Sequence, residues 1–122
     1  MQRLVIETDL LSLNTVIASA KSHWGVYSAE KRRRTEAVML LALSQKLTPV
    51  KSCTVRMIFY AQHKRIDPDN LLINAKYVLD GLQGAEIITS DGWGTIEGLE
   101  FRFLLDRDRP RIEVELIEGP KI

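Results

Sequence analysis

A proline between two aspartates, in the run Asp67-Pro68-Asp69, constrains the fold of this chain more than any other local feature. Pro68 has a fixed φ angle, and it biases the preceding residue, Asp67, toward an extended conformation. Asp69 is of a type that caps helix N-termini, and apolar residues follow it at helical spacing. They are Leu71, Ala75, Val78, Leu79 and Leu82. The pattern predicts a helix over about residues 70–82, with both carboxylates at its start.

The remaining hydrophobic pattern predicts four strands and a second long helix. The strands are expected at residues 3–8, 50–60, 99–105 and 111–117. The second helix is expected from Ser28, as its N-cap, to about residue 45. The segment Asp106–Pro110 is expected to join the last two strands as a hairpin. Together these elements predict one α+β domain over residues 1–122, in which two main helices pack on a small mixed or antiparallel sheet.

Charge is divided unevenly along the chain. Residues 1–65 hold 11 Lys and Arg against 4 Asp and Glu, and residues 66–122 hold 6 against 12. The net charge of +1 therefore averages a basic half and an acidic half. Such a division suits a phosphate-binding face beside an acidic metal-binding centre, and a chance segregation of solvated charge is the alternative.

Composition narrows the class of protein and its location. No stretch approaches the roughly 18 apolar residues that span a membrane, and the N-terminus lacks the apolar region of a signal peptide. The single cysteine, Cys53, excludes an internal disulfide and lies in an alternating apolar run, which predicts a small core residue. A cytoplasmic protein with no membrane partner is expected.

A third acid completes a possible cation site. Asp91 lies in Ser90-Asp91-Gly92-Trp93, shortly after the end of the helix that Asp67 and Asp69 begin. Mg²⁺ prefers oxygen ligands and shares its shell with water and substrate phosphate. Three carboxylates from two turns of the chain could hold it.

The ordered series of these residues resembles the RusA family of Holliday-junction resolvases, most closely its phage and prophage branch. The residues that carry the resemblance are Arg65 to Leu71, Lys76 to Leu82, Ile87-Ile88 and Asp91-Gly92-Trp93, with Leu11 to Asn14 and Arg111 to Val114 in outline. The resemblance implies a RusA-like fold, a homodimer and Mg²⁺-dependent (or Mn²⁺-dependent) cleavage of four-way DNA junctions. It also implies that Asp67, Asp69 and Asp91 are the catalytic metal ligands.

The catalytic lysine that the resemblance implies is Lys76, but the match depends on the aspartate from which positions are counted. Lys76 matches when counted back from Asp80, whereas counting forward from Asp69 places Ile73 there. Asp80 follows at i, i+4 and is expected either to orient Lys76 or to form a simple surface ion pair. Ser90 stands where many relatives of the family have an acid. The number of metal ions per site, one or two, is therefore left open.

Five residues are predicted to contact DNA: Asn14, Lys31, Arg33, Lys64 and Arg65. Asn14 resembles the Asn of the family's N-terminal loop and lies in a long polar segment, part of which (about residues 13–20) is predicted to be helical. Lys31 and Arg33 open the first long helix, and at most two cations of that basic run can meet one phosphate track. Lys64 and Arg65 directly precede the acids, where they could hold the DNA backbone. Turn-forming or solvated surface roles are the alternatives for each.

The predicted function is that of an endodeoxyribonuclease that resolves Holliday junctions by paired symmetric nicks in recombination and repair. Two other classes stay open. One is a nuclease for other branched intermediates, such as forks and flaps, and the other is a junction-binding protein without catalysis. The dimer contact is expected from the last two strands or from Trp93 and its neighbours.

Overall fold

The structure, a computed structural model, describes residues 1–12, 17 and 24–118. Within that part the chain forms four strands and three helices. In chain order these are β1 (Gln2–Glu7), α1 (Trp24–Ser44), β2 (Cys53–Ala61), α2 (Pro68–Leu71), α3 (Asn74–Gly84), β3 (Ile96–Leu105) and β4 (Arg111–Ile117). The predicted α+β class with a small mixed sheet and two main helices is confirmed.

The sheet has the strand order β1-β4-β2-β3. Strand β4 pairs antiparallel with both β1 and β2, while β3 pairs parallel with β2. The chain between β2 and β3 contains α2 and α3, as a parallel connection requires a crossover. The sequence alternation that predicted β2 matches the burial of its side chains. The apolar residues of the alternation are all fully buried: Cys53, Val55, Met57 and Phe59.

The predicted hairpin between the last two strands is wrong, because β2 lies between β3 and β4. The segment that joins them crosses the end of β2, where Asp106 N donates to Ala61 O at 2.8 Å. Asp106 also stabilises this crossing, since its Oδ1 accepts from Asp108 N and Arg109 N at 3.2 Å. A short polar connection therefore spans a neighbouring strand here, and the central strand gains a partner on each side.

The helix before the sheet's central strand begins earlier than predicted. α1 starts at Trp24, so Ser28 lies inside the helix and the prediction of Ser28 as its N-cap is wrong. Serine favours caps but is tolerated within helices, so its presence does not force a start. Asn14 and most of the helix predicted over 13–20 lie outside the described residues.

The helix predicted over 70–82 is divided into α2 and α3 by Leu72 and Ile73. The N-cap position of α2 belongs to Asp67, with φ −65° and ψ 146°, and not to Asp69 as predicted. Pro68 explains why Asp67 is extended and why the helix begins directly after it. Proline forces its predecessor to be extended and is itself suited to the first helical position. Asp67 and Asp69 still stand at the start of the helical segment.

The core lies between the sheet and the helix pair α1–α3. Val38 and Ala42 of α1 and Val78 and Leu82 of α3 are buried against the inner face of the sheet. The two helices approach closely at Gly81, where a Cβ atom would lie 2.5 Å from Val38 Cβ. This close packing brings the outer surface of α3 beside α1, where the candidate site lies. In the described part of the chain, no helix is long and apolar enough to cross a membrane.

Candidate functional site

Lys76 lies in the first turn of α3 between two carboxylates. Its Nζ donates to Asp91 Oδ2 at 2.8 Å and lies 3.1 Å from Asp80 Oδ1. The bond to Asp91, followed by the bond to Asp80, raises the pKa of the Lys76 ammonium above its ordinary value. The same ammonium lowers the pKa of the Asp91 carboxyl. All of these groups are at least partly exposed, so the pair is a surface feature that holds charges in place more than it stabilises the fold.

Asp80 connects this pair to the first long helix. Lys31 Nζ on α1 lies 3.9 Å from Asp80 Oδ2. Lys31, Lys76, Asp80 and Asp91 thus form one group, which we call the Lys76 cluster. It joins a predicted DNA contact, Lys31, to the predicted catalytic lysine and to one predicted metal ligand. The predicted i, i+4 contact between Lys76 and Asp80 is confirmed.

The turn that carries Asp91 is fixed by local hydrogen bonds. Gly92 N donates to Ser90 Oγ at 3.1 Å, and Ile96 N donates to Gly92 O at 2.9 Å as β3 begins. Cys53 N donates to Thr95 O at 2.9 Å, which ties the turn to the start of β2. Trp93 is 99% exposed at the tip of this turn. Asp91 is therefore presented by an anchored turn, not by a helix or strand.

Asp67 and Asp69 are exposed at the start of α2. Neither side chain makes a hydrogen bond or ion pair with another described residue. Their backbone carbonyls are used, since Asn70 N donates to Asp67 O at 3.0 Å and Leu72 N donates to Asp69 O at 3.3 Å. The two carboxylates are consequently open to a ligand from solvent.

The three predicted metal ligands are not gathered into one group. Over residues 1–12, 17 and 24–118, no three His, Cys, Asp or Glu side chains are placed together so that they could hold a metal ion. Asp91 is bound to Lys76, and Asp67 and Asp69 lie apart from that bond on the preceding turn. The donor type nevertheless suits a hard divalent cation, because all three are carboxylates and two have no side-chain partner among the described residues. Their role as metal ligands stays a prediction.

Lys64 and Arg65 lie in the loop after β2, and both are exposed. They line a shallow depression together with His63 and with Arg107, which comes from the loop after β3. Arg65 N donates to His63 Nδ1 at 3.2 Å, which shapes the loop. Arg107 was not among the predicted DNA contacts, because it lies in the segment Asp106–Pro110 that was expected to be a hairpin. The depression places three cations next to the start of α2.

The basic run Lys31–Arg34 was expected to open the first long helix, but α1 begins at Trp24, so the run lies about two turns inside it. Burial divides its members. Arg33 is exposed and pairs with Glu30, so it is available at the surface. Arg34 is buried and structural: its Nη1 donates to Asp9 O at 2.7 Å, and its Nε donates to Glu30 Oε1 at 2.8 Å. This agrees with the expectation that the run cannot present all its cations to one phosphate track.

Asn74 is the residue near the site whose importance the sequence did not reveal. It is fully buried at the start of α3, and its amide bonds Leu11 twice: Oδ1 accepts from Leu11 N at 3.0 Å, and Nδ2 donates to Leu11 O at 2.9 Å. Nδ2 also donates to Leu71 O at 2.8 Å, and Tyr77 Oη donates to Oδ1 at 2.8 Å. Asn74 thus holds the break between α2 and α3, which positions the turn with Asp67 and Asp69. Its only sequence signal is a polar residue within an apolar helical pattern.

No protein-family model matches the chain, and no curated protein matches it. The resemblance to the RusA family therefore stays a prediction that rests on the residues quoted above. The residues that bear on function are the Lys76 cluster and the exposed carboxylates of Asp67 and Asp69 before it.

Proposed function

We propose that this chain is a Mg²⁺-dependent endodeoxyribonuclease that resolves four-way DNA junctions in the manner of the RusA family. The observation that carries the proposal is the placement of Lys76 between Asp80 and Asp91, on the helix that begins just after two exposed carboxylates that pair with no described side chain. A surface ion pair of this kind stabilises a fold little. Free carboxylates, a fixed ammonium and a nearby basic loop are the groups that phosphodiester hydrolysis needs.

The carboxylates would supply the cation site. Asp67 and Asp69 have the open oxygen donors, and Asp91 is the third predicted ligand. Bound there, Mg²⁺ (or Mn²⁺) would polarise the scissile phosphate and lower the pKa of a water molecule. Asp91 would have to exchange its present partner, Lys76, for the cation, and that exchange would leave the ammonium free for the substrate.

Lys76 would stabilise negative charge on the phosphate. The ordinary pKa of a lysine, 10.5, already keeps the ammonium protonated at neutral pH, so it can neutralise charge but cannot act as a base. Asp80 holds the same nitrogen from within the helix, which limits the orientations of the side chain. The lysine would therefore be positioned before the DNA arrives.

The basic residues around the acids would hold the DNA backbone. Lys64 and Arg65 precede the acids in the chain, and Lys31 lies within the Lys76 cluster. Phosphate contacts of this kind position a nucleic acid without reading its sequence. Resolution of a junction takes two nicks on opposing strands, so we expect a homodimer that supplies two sites in the bacterial or phage-infected cytoplasm.

One observation favours a second candidate, a junction-binding protein that does not cut. Asp91 is neutralised by Lys76, and the three acids are not grouped, so the basic loop could bind DNA without an assembled metal site. In that case Mg²⁺ would have no effect on the DNA, while binding would stay salt-dependent.

Substitution of an acid at the start of α2 distinguishes the nuclease from the junction-binding protein. Cleavage of a synthetic four-way junction is measured for the wild type and for Asp67→Asn, with Glu36→Gln as the control, because Glu36 is an exposed acid on α1 that belongs neither to the Lys76 cluster nor to the predicted metal ligands. We expect Asp67→Asn to slow Mg²⁺-dependent cleavage by roughly a hundredfold or more and to leave junction binding intact. Equal rates for Asp67→Asn and the wild type would remove Asp67 from the chemistry. Binding without any cleavage by the wild type would favour the non-catalytic protein.

A further inference from the structure

Strand β3 has an unpaired edge. It lies at the end of the strand order, and β2 is its one neighbour in the part of the chain that the structure describes. Four of its large apolar side chains are between 38% and 51% exposed: Leu99, Phe103, Leu104 and Leu105. A ten-residue edge with free backbone groups and exposed apolar side chains is a template for another strand. Natural proteins rarely leave such an edge uncovered.

A row of alternating charges crosses the outer face of the sheet and ends at this edge. Arg3 pairs with Glu115 at 2.6 Å, and Glu115 pairs with Arg56 at 3.0 Å. Arg56 then pairs with Glu100 on β3 at 3.3 Å. These four residues stand opposite one another in the strand register, so the order of charge is positive, negative, positive, negative. The last carboxylate, Glu100, is 40% exposed, and a cation on a fifth strand would continue the row.

We propose that a second copy of this chain supplies the fifth strand, by antiparallel pairing of β3 with β3 around a two-fold axis at Phe101. In that register Glu100 stands opposite Arg102 of the second copy, so the charge row continues with a cation. On the inner face Leu99 stands opposite Phe103 of the second copy, which pairs two exposed apolar side chains. Each contact occurs twice because the two-fold axis repeats it.

The neighbouring registers are disfavoured by charge. An axis at Glu100 would place that carboxylate opposite its own copy, and an axis at Arg102 would do the same with the guanidinium. Like charges directly opposite each other destabilise a strand pair. Of these three centres, only Phe101 brings opposite charges together across the axis, so the strand is complementary to itself.

The paired edge borders the candidate site. A groove of about 470 Å³ lies between the end of β3, with Phe103 and Leu105, and the start of α2, with Pro68 and Leu71. Asp67 directly precedes that proline, so the turn with the free acids adjoins the edge that the second copy would cover. The two acidic turns would then be related by the same two-fold axis. This part of the inference rests on the proposed function, since paired nicks need two such sites.

The pairing is tested by charge exchange in solution without DNA. Sedimentation equilibrium measures the dimer dissociation constant of the wild type, Arg102→Glu, Glu100→Arg and the double variant Glu100→Arg/Arg102→Glu. We expect each single variant to raise the dissociation constant roughly tenfold or more, because each places like charges opposite each other twice. The double variant is expected to restore dimerisation. Lys51→Glu is the control, since this exposed lysine lies outside β3, before β2, and undergoes the same change of charge as Arg102→Glu.

Mixing the two single variants gives the most specific readout. One chain then carries two acids at these positions and the other carries two cations, so native mass spectrometry should detect mainly the mixed dimer. Circular dichroism checks the fold of Glu100→Arg, because that variant also loses its contact with Arg56.

Three results would overturn the proposal: a wild type that stays monomeric at about 100 µM, a dimer that neither single variant weakens, or a mixture without mixed dimers. A monomeric wild type would leave the edge for a strand of a different protein. Failure of the dimer proposal and failure of the nuclease proposal can be distinguished. Asp67→Asn is expected to remain dimeric whether or not the wild type cuts DNA.

Discussion

The buried amide of Asn74 offers a quantitative test of how the site is held. Replacement by alanine removes four hydrogen bonds, to Leu11 N and O, Leu71 O and Tyr77 Oη. The bonds to Leu71 and Tyr77 are buried, and a buried group left without its partner costs about 1–3 kcal/mol. The two partly buried bonds to Leu11 add about 0.5–1.5 kcal/mol each, and water entering the space offsets part of the total. We therefore expect Asn74→Ala to lower the free energy of unfolding by about 3 kcal/mol.

Urea unfolding followed by circular dichroism measures this loss. Asn70→Ala is the matched control, because the Asn70 side chain, four residues earlier, makes no hydrogen bond with a described residue; its effect should stay within about 0.5 kcal/mol. Tyr77→Phe removes only one of the four bonds and should cost about 1 kcal/mol. A loss below about 1 kcal/mol for Asn74→Ala, equal to that of the control, would refute the claim that Asn74 holds the break between α2 and α3.

Three further predictions follow from single contacts. Lys76→Gln should raise the pKa of the Asp91 carboxyl toward its ordinary value, because the ammonium that lowers it is gone; an NMR titration that finds no change would contradict the ion pair. The pKa of Glu115 is lowered by its two arginine partners, so its contribution to stability is complete above the ordinary pKa of 4.5 and is lost as the pH falls through the lowered value. Glu115→Gln should therefore flatten the acid limb of the unfolding free energy, and an unaltered limb would be evidence against the pair. Gly81→Ala should cost about 1–3 kcal/mol in urea unfolding, because the methyl group would collide with α1. Gly25→Ala, where a Cβ atom would meet no described atom within 4 Å, should be neutral or gain up to about 1 kcal/mol. Equal effects of the two changes would contradict the close helix approach.

Local pattern predicted the strands well where one face is fully buried. The alternation over 50–60 and the run over 111–117 correspond to β2 and β4, because strict period-two burial leaves the backbone one consistent conformation. Strand neighbours were not predicted from the same pattern. The connection Asp106–Pro110 has the length of a hairpin, yet its ends lie on either side of β2. Strand pairing depends on which strands lie inside the sheet, with a neighbour on each edge. That choice is a property of the whole sheet and not of any one strand.

The candidate site was predictable to the extent that it is local. Lys76 and Asp80 are four residues apart on one helix, so their contact follows from helical geometry. The contact of Lys31 with Asp80 depends on the packing of α1 against α3, and the role of Asn74 depends on Leu11, which lies 63 residues away in the chain. Neither could be read from spacing. The position of Asp67 and Asp69 at the start of a helical segment was predictable, because proline fixes the local backbone whatever the rest of the chain does.

The most direct measurement of the central claim is the position of the cuts that the wild type makes in a mobile four-way junction. The junction and a linear duplex of matched sequence are labelled on each strand and incubated in Mg²⁺ and in EDTA. Our account predicts two symmetric nicks on opposing strands at the junction, none in the duplex, and none in EDTA. Tight binding to the junction without cleavage would contradict the account and identify a DNA-binding protein, and equal cutting of the linear duplex would contradict the junction as the preferred substrate.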